Sequence, residues 1–254
     1  MSSERRLSRR TVARLTAGAS AVGALAIGGG LGAFDVDDGD DGERTIPDGG
    51  TIDLPEPETD GETSVEKAIA LRRSRREYGD DPLTLAELGQ LLWAAQGITR
   101  SRMGQTDLRA APSAGATYPL TISVAIDDGG VERVDAGVYR YDPADHGLER
   151  RGADSIHASL EDAALEQSWV GGAPVDLVVS AVDERTTDRY GERGRSRYVP
   201  MEAGHVAENC YLQAEALDLS TVVVGAFRDD DVRSLLELPA EHRPLYVIPV
   251  GHRP

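Results

Sequence analysis

Met201-Glu202-Ala203-Gly204-His205-Val206-Ala207-Glu208-Asn209-Cys210-Tyr211-Leu212-Gln213-Ala214-Glu215-Ala216-Leu217 is the stretch on which the fold turns. It is rich in alanine and free of proline, so it predicts a helix. Because it is apolar on most faces, that helix belongs at the centre of the molecule, with Cys210 and His205 as core residues. A helix so placed needs strands around it. Val175 to Val182 reads as one, Thr221 to Val224 and Leu245 to Val250 as two more, with a short helix near Asp231 to Leu236 between the last two. Upstream, Leu120, Ile122, Val124 and Ile126 alternate with small or polar residues and end in the turn Asp127-Asp128-Gly129-Gly130, with Val138 to Tyr141 as a neighbouring strand. Ser155 to Gln167 has helical spacing. Two capping boxes, Thr63 to Glu66 and Thr84 to Glu87, open helices on either side of the turn Asp80-Asp81-Pro82. The first puts Val65, Ala68, Ile69 and Arg72 on one face, and the second Leu85, Leu88, Leu92 and Ala95. The sum is an α+β fold: a mostly antiparallel sheet wrapped by helices, with one central buried helix.

The chain has 254 residues, enough for one domain with a substantial core after a non-globular N-terminal part. Residues 1–33 carry Arg9-Arg10 ahead of a weakly hydrophobic Ala/Gly/Leu run, the pattern of a twin-arginine export signal read by its export machinery. Left uncleaved, such a run could also serve as an anchor, so the expected location is outside the cytoplasm, free or membrane-attached. Residues 34–62 are rich in Asp, Gly, Pro and Glu and read as an acidic disordered linker, which leaves residues 63–254 as the folded domain. Gly28-Gly29-Gly30-Leu31-Gly32 is no dinucleotide fingerprint, since no strand precedes it and no amphipathic helix follows it.

Acidic residues outnumber basic ones 44 to 27 and the formal net charge is −17. That field disfavours nucleic acid as a partner and suits a halophilic setting, where molar salt shortens the Debye length to about 3 Å. With Cys210 as the sole cysteine and no paired histidine spacing, no metal site is expected.

Against this acidic background, Arg72-Arg73-Ser74-Arg75-Arg76 needs a reason. Guanidinium forks and a serine hydroxyl suit phosphate oxygens. Cations at the end of a helix are also favoured by its dipole, so a solvated basic terminus is the other reading. In Arg109-Ala110-Ala111-Pro112-Ser113-Ala114-Gly115-Ala116-Thr117-Tyr118-Pro119, small residues let the backbone approach a flat ligand and Ser113 can donate to it. In Val222-Val223-Val224-Gly225-Ala226-Phe227, a strand ends at a glycine where backbone amides could meet a ring carbonyl.

These stretches, in this order, resemble the nitroreductase superfamily over about residues 64 to 251, and most closely its SagB-type branch of thiazole and oxazole peptide dehydrogenases. The resemblance implies FMN as cofactor. Its R-R-S-x-R segment, which grips the phosphate, corresponds to Arg72, Arg73, Ser74 and Arg76. The segment along the flavin corresponds to Pro112, Ser113, Ala114 and Gly115, and the one beside the ring to Val224 and Gly225. Glu202-Ala203-Gly204-His205 with Asn209 is similar to the start of the family's central helix. A homodimer with flavin at its interface, two-step electron transfer, and a small-molecule or peptide substrate are implied as well. Two features depart from the pattern. Only His252 or Arg253 remains to complete the phosphate grip from the C-terminus. Arg197-Tyr198 stands where peptide-oxidising members carry Lys-Tyr, leaving Tyr198 as the catalytic candidate because an arginine stays protonated. From another class comes the reading of an exported flavin-binding carrier or sensor without turnover.

Overall fold

A computed structural model describes residues 49–254. Along the chain run β1 (Thr51–Asp53), α1 (Val65–Leu71), α2 (Leu85–Gln96), a small hairpin of β2 (Ile98–Arg100) and β3 (Leu108–Arg109), then β4 (Leu120–Ile126), β5 (Gly137–Asp142) and β6 (Gly147–Gly152). There follow α3 (His157–Ala163), α4 (Ser168–Gly171), β7 (Val175–Val182), α5 (Glu184–Tyr190), α6 (Val199–Ala216), β8 (Leu219–Thr221), α7 (Asp229–Leu235) and β9 (His242–His252). Seven strands form one sheet in the order β1-β6-β5-β4-β7-β9-β8, and every neighbouring pair is antiparallel. The expected α+β architecture is the observed one.

Strand alternation sorts the core into two layers, because successive side chains leave opposite faces of a sheet. Leu120, Ile122, Val124 and Ile126 of β4 face α2 and α6, where they meet Leu88, Leu91 and Leu92 together with Ala203, Val206 and Cys210. On the other face Val178 and Val247 pack against Leu160 of α3, Val170 of α4 and Val232 of α7. Helix α6 contacts the sheet along a stripe at 199, 203, 206, 210 and 214, whereas His205 on its outer side is exposed. His205 is therefore not a core residue, while Cys210 is, its thiol pushed up to about 12 by burial.

Several boundaries differ from expectation. Helix α1 is capped by Ser64, whose hydroxyl accepts the Lys67 amide, so no box closes between Thr63 and Glu66. The Thr84–Glu87 box of α2 is complete. Within the presumed linker, β1 pairs with β6, and Leu54 behind it is buried. The folded part thus starts before Thr63, since the Ile52/Leu54 alternation supplies enough apolar surface to add an edge strand. The expected export signal, residues 1–33, lies outside the described residues, as does the linker up to Asp48. Among the described residues no helix is long and apolar enough to cross a membrane, which corrects the membrane-attached form of the expected location.

Candidate functional site

Helix α1 ends because Arg72 turns extended, with φ −48° and ψ 126°, while its N–H still reaches Ala68 O. The chain then runs beside β8, Arg75 N–H donating to Thr221 O at 2.9 Å. This fans the arginines apart. Arg75 points to Glu215 at 3.3 Å, Arg72 lies over the ring of Tyr211 and Arg76 over that of Trp169, each 5.1 Å from the ring centre. Arg73 caps the helix end through Ala70 O and Arg72 O. Among the described residues, Arg72, Arg73 and Arg76 have no carboxylate at ion-pair distance.

Tyr211 of α6 joins this segment to the third expected one. Its hydroxyl accepts the Val223 amide at 2.9 Å and lies 2.9 Å from Ser74 Oγ. Donating its own proton to Ser74 would leave the serine hydroxyl free to donate outward. Val224 itself is buried and its N–H is bonded to Val247 O at 2.8 Å, so it cannot offer the amide expected of it. Gly225, next along, is exposed, and a Cβ there would make only ordinary contact with Tyr246 at 3.5 Å. The C-terminal residues are committed elsewhere: Arg253 pairs with Glu215 and Asp218, and His252 lies 3.5 Å from Glu87.

The Pro112–Gly115 loop stands by the other half of α6. Pro112 O faces His205 Nδ1 at 3.2 Å, and Ser113 Oγ accepts the Tyr118 amide at 2.9 Å. The backbone here is contorted: Gly115, Ala116 and Tyr118 all have left-handed φ, of 63°, 54° and 44°. Such strain persists only where the surroundings enforce it, and it clusters at functional sites. At Gly115 a Cβ would sit 2.5 Å from the Tyr190 hydroxyl and 2.8 Å from Arg189 Nη1, so a larger residue would push those side-chain ends aside as well as strain the left-handed backbone. Tyr190 makes an edge contact with Tyr198, ring centres 5.1 Å apart, and the Tyr198 hydroxyl accepts from Arg193 Nε at 2.9 Å. The arrangement brings Arg72 and Ser74 together with Val223 at Tyr211, leaves Arg73 on the end of α1 and Arg76 on Trp169, and joins Gly115 to Tyr198 through Tyr190. Within one chain, the two groups are held by different ends of α6.

Behind Ser113 lies a residue whose role the sequence reading missed. Glu202 is 2 % exposed, and burial drives its carboxyl up to about 7 against the opposing pull of Ser113, Arg109 and Gln96. Glu202 Oε1 and Gln96 Nε2 are both buried without a formed hydrogen bond. Arg109, held over the Tyr118 ring at 4.7 Å and bonded to Gln96 Oε1 at 2.8 Å, is lowered from its usual range, chiefly by burial. The sequence did carry a signal: Glu202 stands at i, i+4 and i+8 with Val206 and Cys210, a carboxylate on the apolar stripe.

Residues 69–252 match the Nitroreductase family. The chain belongs to that family. A protein of Methanocaldococcus jannaschii named as a nitroreductase, MJ1384, is 44% identical over 205 residues, covering 81% of this chain and 98% of the relative. A crystal structure from Ralstonia eutropha JMP134, also named as a nitroreductase, superposes with a TM-score of 0.68 at 32% identity, over 80% of this chain and 90% of that one. The Escherichia coli microcin synthetase McbBCD complex with truncated pro-MccB17 bound shares the fold, with a TM-score of 0.61 at 24% identity over 79% of this chain and 77% of that one. This nitroreductase-family chain is accordingly an enzyme of the oxidoreductase type. Members of the family typically bind FMN. Arg72 and Ser74, which meet at Tyr211, are of a kind chemically suited to a phosphate of charge about −1.5 to −2.

Proposed function

We propose that the protein is an FMN-dependent oxidoreductase of the SagB-type branch, carrying electrons in two steps at one site to or from a small-molecule or peptide substrate. The observation that carries this reading is the set of three arginines left without carboxylates in a chain of net charge −17. Glu215 pairs with Arg75, whereas its neighbours Arg72, Arg73 and Arg76 keep their charge open to an incoming anion.

In this reading Arg72, Arg73, Ser74 and Arg76 hold the FMN phosphate. The Gly225 segment, with Val224 fixing it to the sheet, borders the ring, and Pro112, Ser113, Ala114 and Gly115 lie along it. Bound FMN would supply the electron-carrying chemistry. Tyr198 is proposed to exchange a proton with the substrate, its hydroxyl oriented by Arg193, while Arg197 remains a fixed cation unable to act as a base. A homodimer is part of the proposal. Between His205 and Tyr211 the helix rises only about 9 Å, yet each half of α6 holds a different set of flavin residues, so a second copy could complete each site. The exposed Val65 and Ile69, one turn apart on α1, give that copy an apolar spot to cover. Kinship with the branch that handles peptides is supported by the Glu202-Ala203-Gly204-His205 segment and by the likeness to a complex with a bound peptide precursor. The FMN-binding domain is proposed to follow an N-terminal segment of residues 1–33 and an acidic linker that ends before Thr51.

An absorption spectrum of the purified protein, followed by release and identification of its chromophore, tests the reading. A flavin spectrum lost in an Arg72→Ala/Arg76→Ala variant is the expected result. A colourless protein that takes up no FMN when mixed with it would overturn the proposal.

A further inference from the structure

We propose that His157 and Asp176 share one buried proton and form with it a pH-sensitive latch, which fastens the start of α3 to β7 and opens as pH rises. The latch lies on the sheet face turned away from α2 and α6, among the side chains that pack around Val178. It stands whether or not the protein binds FMN.

The heavy atoms dictate where the hydrogens can be. Ser155 Oγ donates its single hydrogen to Asp127 Oδ1 at 2.5 Å and accepts the His157 amide at 3.4 Å. Toward His157 Nδ1, 3.3 Å away, the serine has only lone pairs to offer, and Asp127 Oδ1, 3.7 Å from the same nitrogen, also accepts only. Nδ1 therefore carries a hydrogen. The second ring nitrogen, Nε2, lies 3.3 Å from Asp176 Oδ2, and neither atom has a hydrogen bond to any other group. Were both bare, lone pairs would face each other between an imidazole 3 % exposed and a carboxylate 0 % exposed. A carboxylate taken out of water with neither cation nor donor is strongly disfavoured, so one proton stands between the two atoms. Burial lowers His157 and raises Asp176 well above the usual carboxylate range, which puts that proton on the carboxyl side and leaves the pair neutral.

The surroundings oppose its loss. The strand neighbours of Asp176, Ala125 on β4 and Pro249 on β9, bring no charge. Tyr78 brings a hydroxyl that is itself buried and without a partner, with Arg76 beyond it, and Asp127 repels a second negative charge at Asp176. A carboxyl raised in this way contributes stability that is complete at low pH and is lost as pH rises through its folded value. The imidazole, lowered from its ordinary value, limits the latch on the acid side instead, where a second proton would enter. What opens is the layer of α3 and α4: Leu160 packs with Val170 and Trp169, and Arg76 rests on the Trp169 ring.

The test has two arms on the full chain. Nitrogen NMR of isotopically labelled histidines, with His157 assigned by its loss in His157→Gln, should show at neutral pH a protonated Nδ1 and an Nε2 that accepts a hydrogen bond or carries a second proton. A bare Nδ1, or an Nε2 free of any hydrogen bond, overturns the inference. In the second arm, hydrogen exchange is followed from pH 6 to 10 at the amides of Leu160 and Ala164, which are bonded to Ile156 O and Leu160 O. The wild type is compared with Asp176→Asn, whose amide keeps the shape of the side chain and always has a hydrogen for Nε2. Above the pH at which Asp176 ionises, wild-type exchange should outpace that of the variant by up to about tenfold per pH unit, the ordinary base-catalysed rise being common to both. Equal exchange over the whole range overturns the inference, and should the variant fail to fold, the ring nitrogens of the wild type decide it.

Discussion

The two halves of α6 support polar patches of opposite design. Around Glu202, polar groups are few and enclosed: a buried carboxyl, a partly buried arginine and a buried amide lie behind Ser113. Around Tyr211, Arg72 and Ser74 stand open, and the neighbouring Arg73 and Arg76 likewise lack a carboxylate among the described residues. The difference separates what a folded chain requires from what a ligand requires. A buried charge left alone destabilises the fold by several kcal/mol, so it must be neutralised within the protein or lose its charge. Exposed arginines carry no such penalty and can await an anion from outside.

The comparison can be broken first at the open patch. Arg72→Ala should weaken FMN binding by about 2 to 3 kcal/mol, or roughly 30- to 150-fold, and the double change with Arg76 by roughly a thousandfold. Calorimetry of the flavin-free variant should show almost no loss of stability. A large loss would mean that these arginines serve the fold after all.

At the closed patch the effect should appear in stability and depend on pH. The carboxyl of Glu202 stands at about 7 in the folded protein against an ordinary 4.5, so its contribution is fully present below about 4.5 and is lost as pH rises through about 7. Glu202→Gln should therefore match the wild type at pH 4.5 and exceed it at pH 8.5, by on the order of 2 to 3 kcal/mol. Equal denaturation midpoints at both pH values would refute the assignment.

Smaller effects sharpen the boundary between the patches. Tyr211→Phe removes the hydroxyl joining Val223 to Ser74 and should lower stability by about 1 kcal/mol and FMN affinity about fivefold, since one hydrogen bond has this worth. Thr84→Ala opens the capping box of α2, far from the arginines, and should cost about 1 kcal/mol in urea denaturation with FMN affinity unchanged.

Much of this was legible in the residues. Val175 to Val182 is a strand between those same bounds, and β4 with its partner β5 follows from the alternation of Leu120 to Ile126. The elements without such a signal were missed. Strand β6 reads Gly-Leu-Glu-Arg-Arg-Gly, and the pairing of its backbone, with the buried Arg150 against Asp135, makes it a strand where side-chain pattern does not. At the site, the motif order pointed to Arg72, Arg73, Ser74 and Arg76 and passed over Arg75, which the fold directs to Glu215. It could not show that Val224 would give its amide to Val247, nor that Glu202 would lie behind Ser113, because both depend on contacts between residues 23 and 89 positions apart in the chain.

The two ends of the main sheet are its shortest members. Strands β1 and β8 each have three residues, so each outer margin exposes only a few backbone groups to a neighbour. A sheet finished in this way gives other chains little to extend, which guards a concentrated solution of the protein against stacking into fibrils. Recognition between copies is thereby left to side chains on helices, where shape and charge can be selective about the partner.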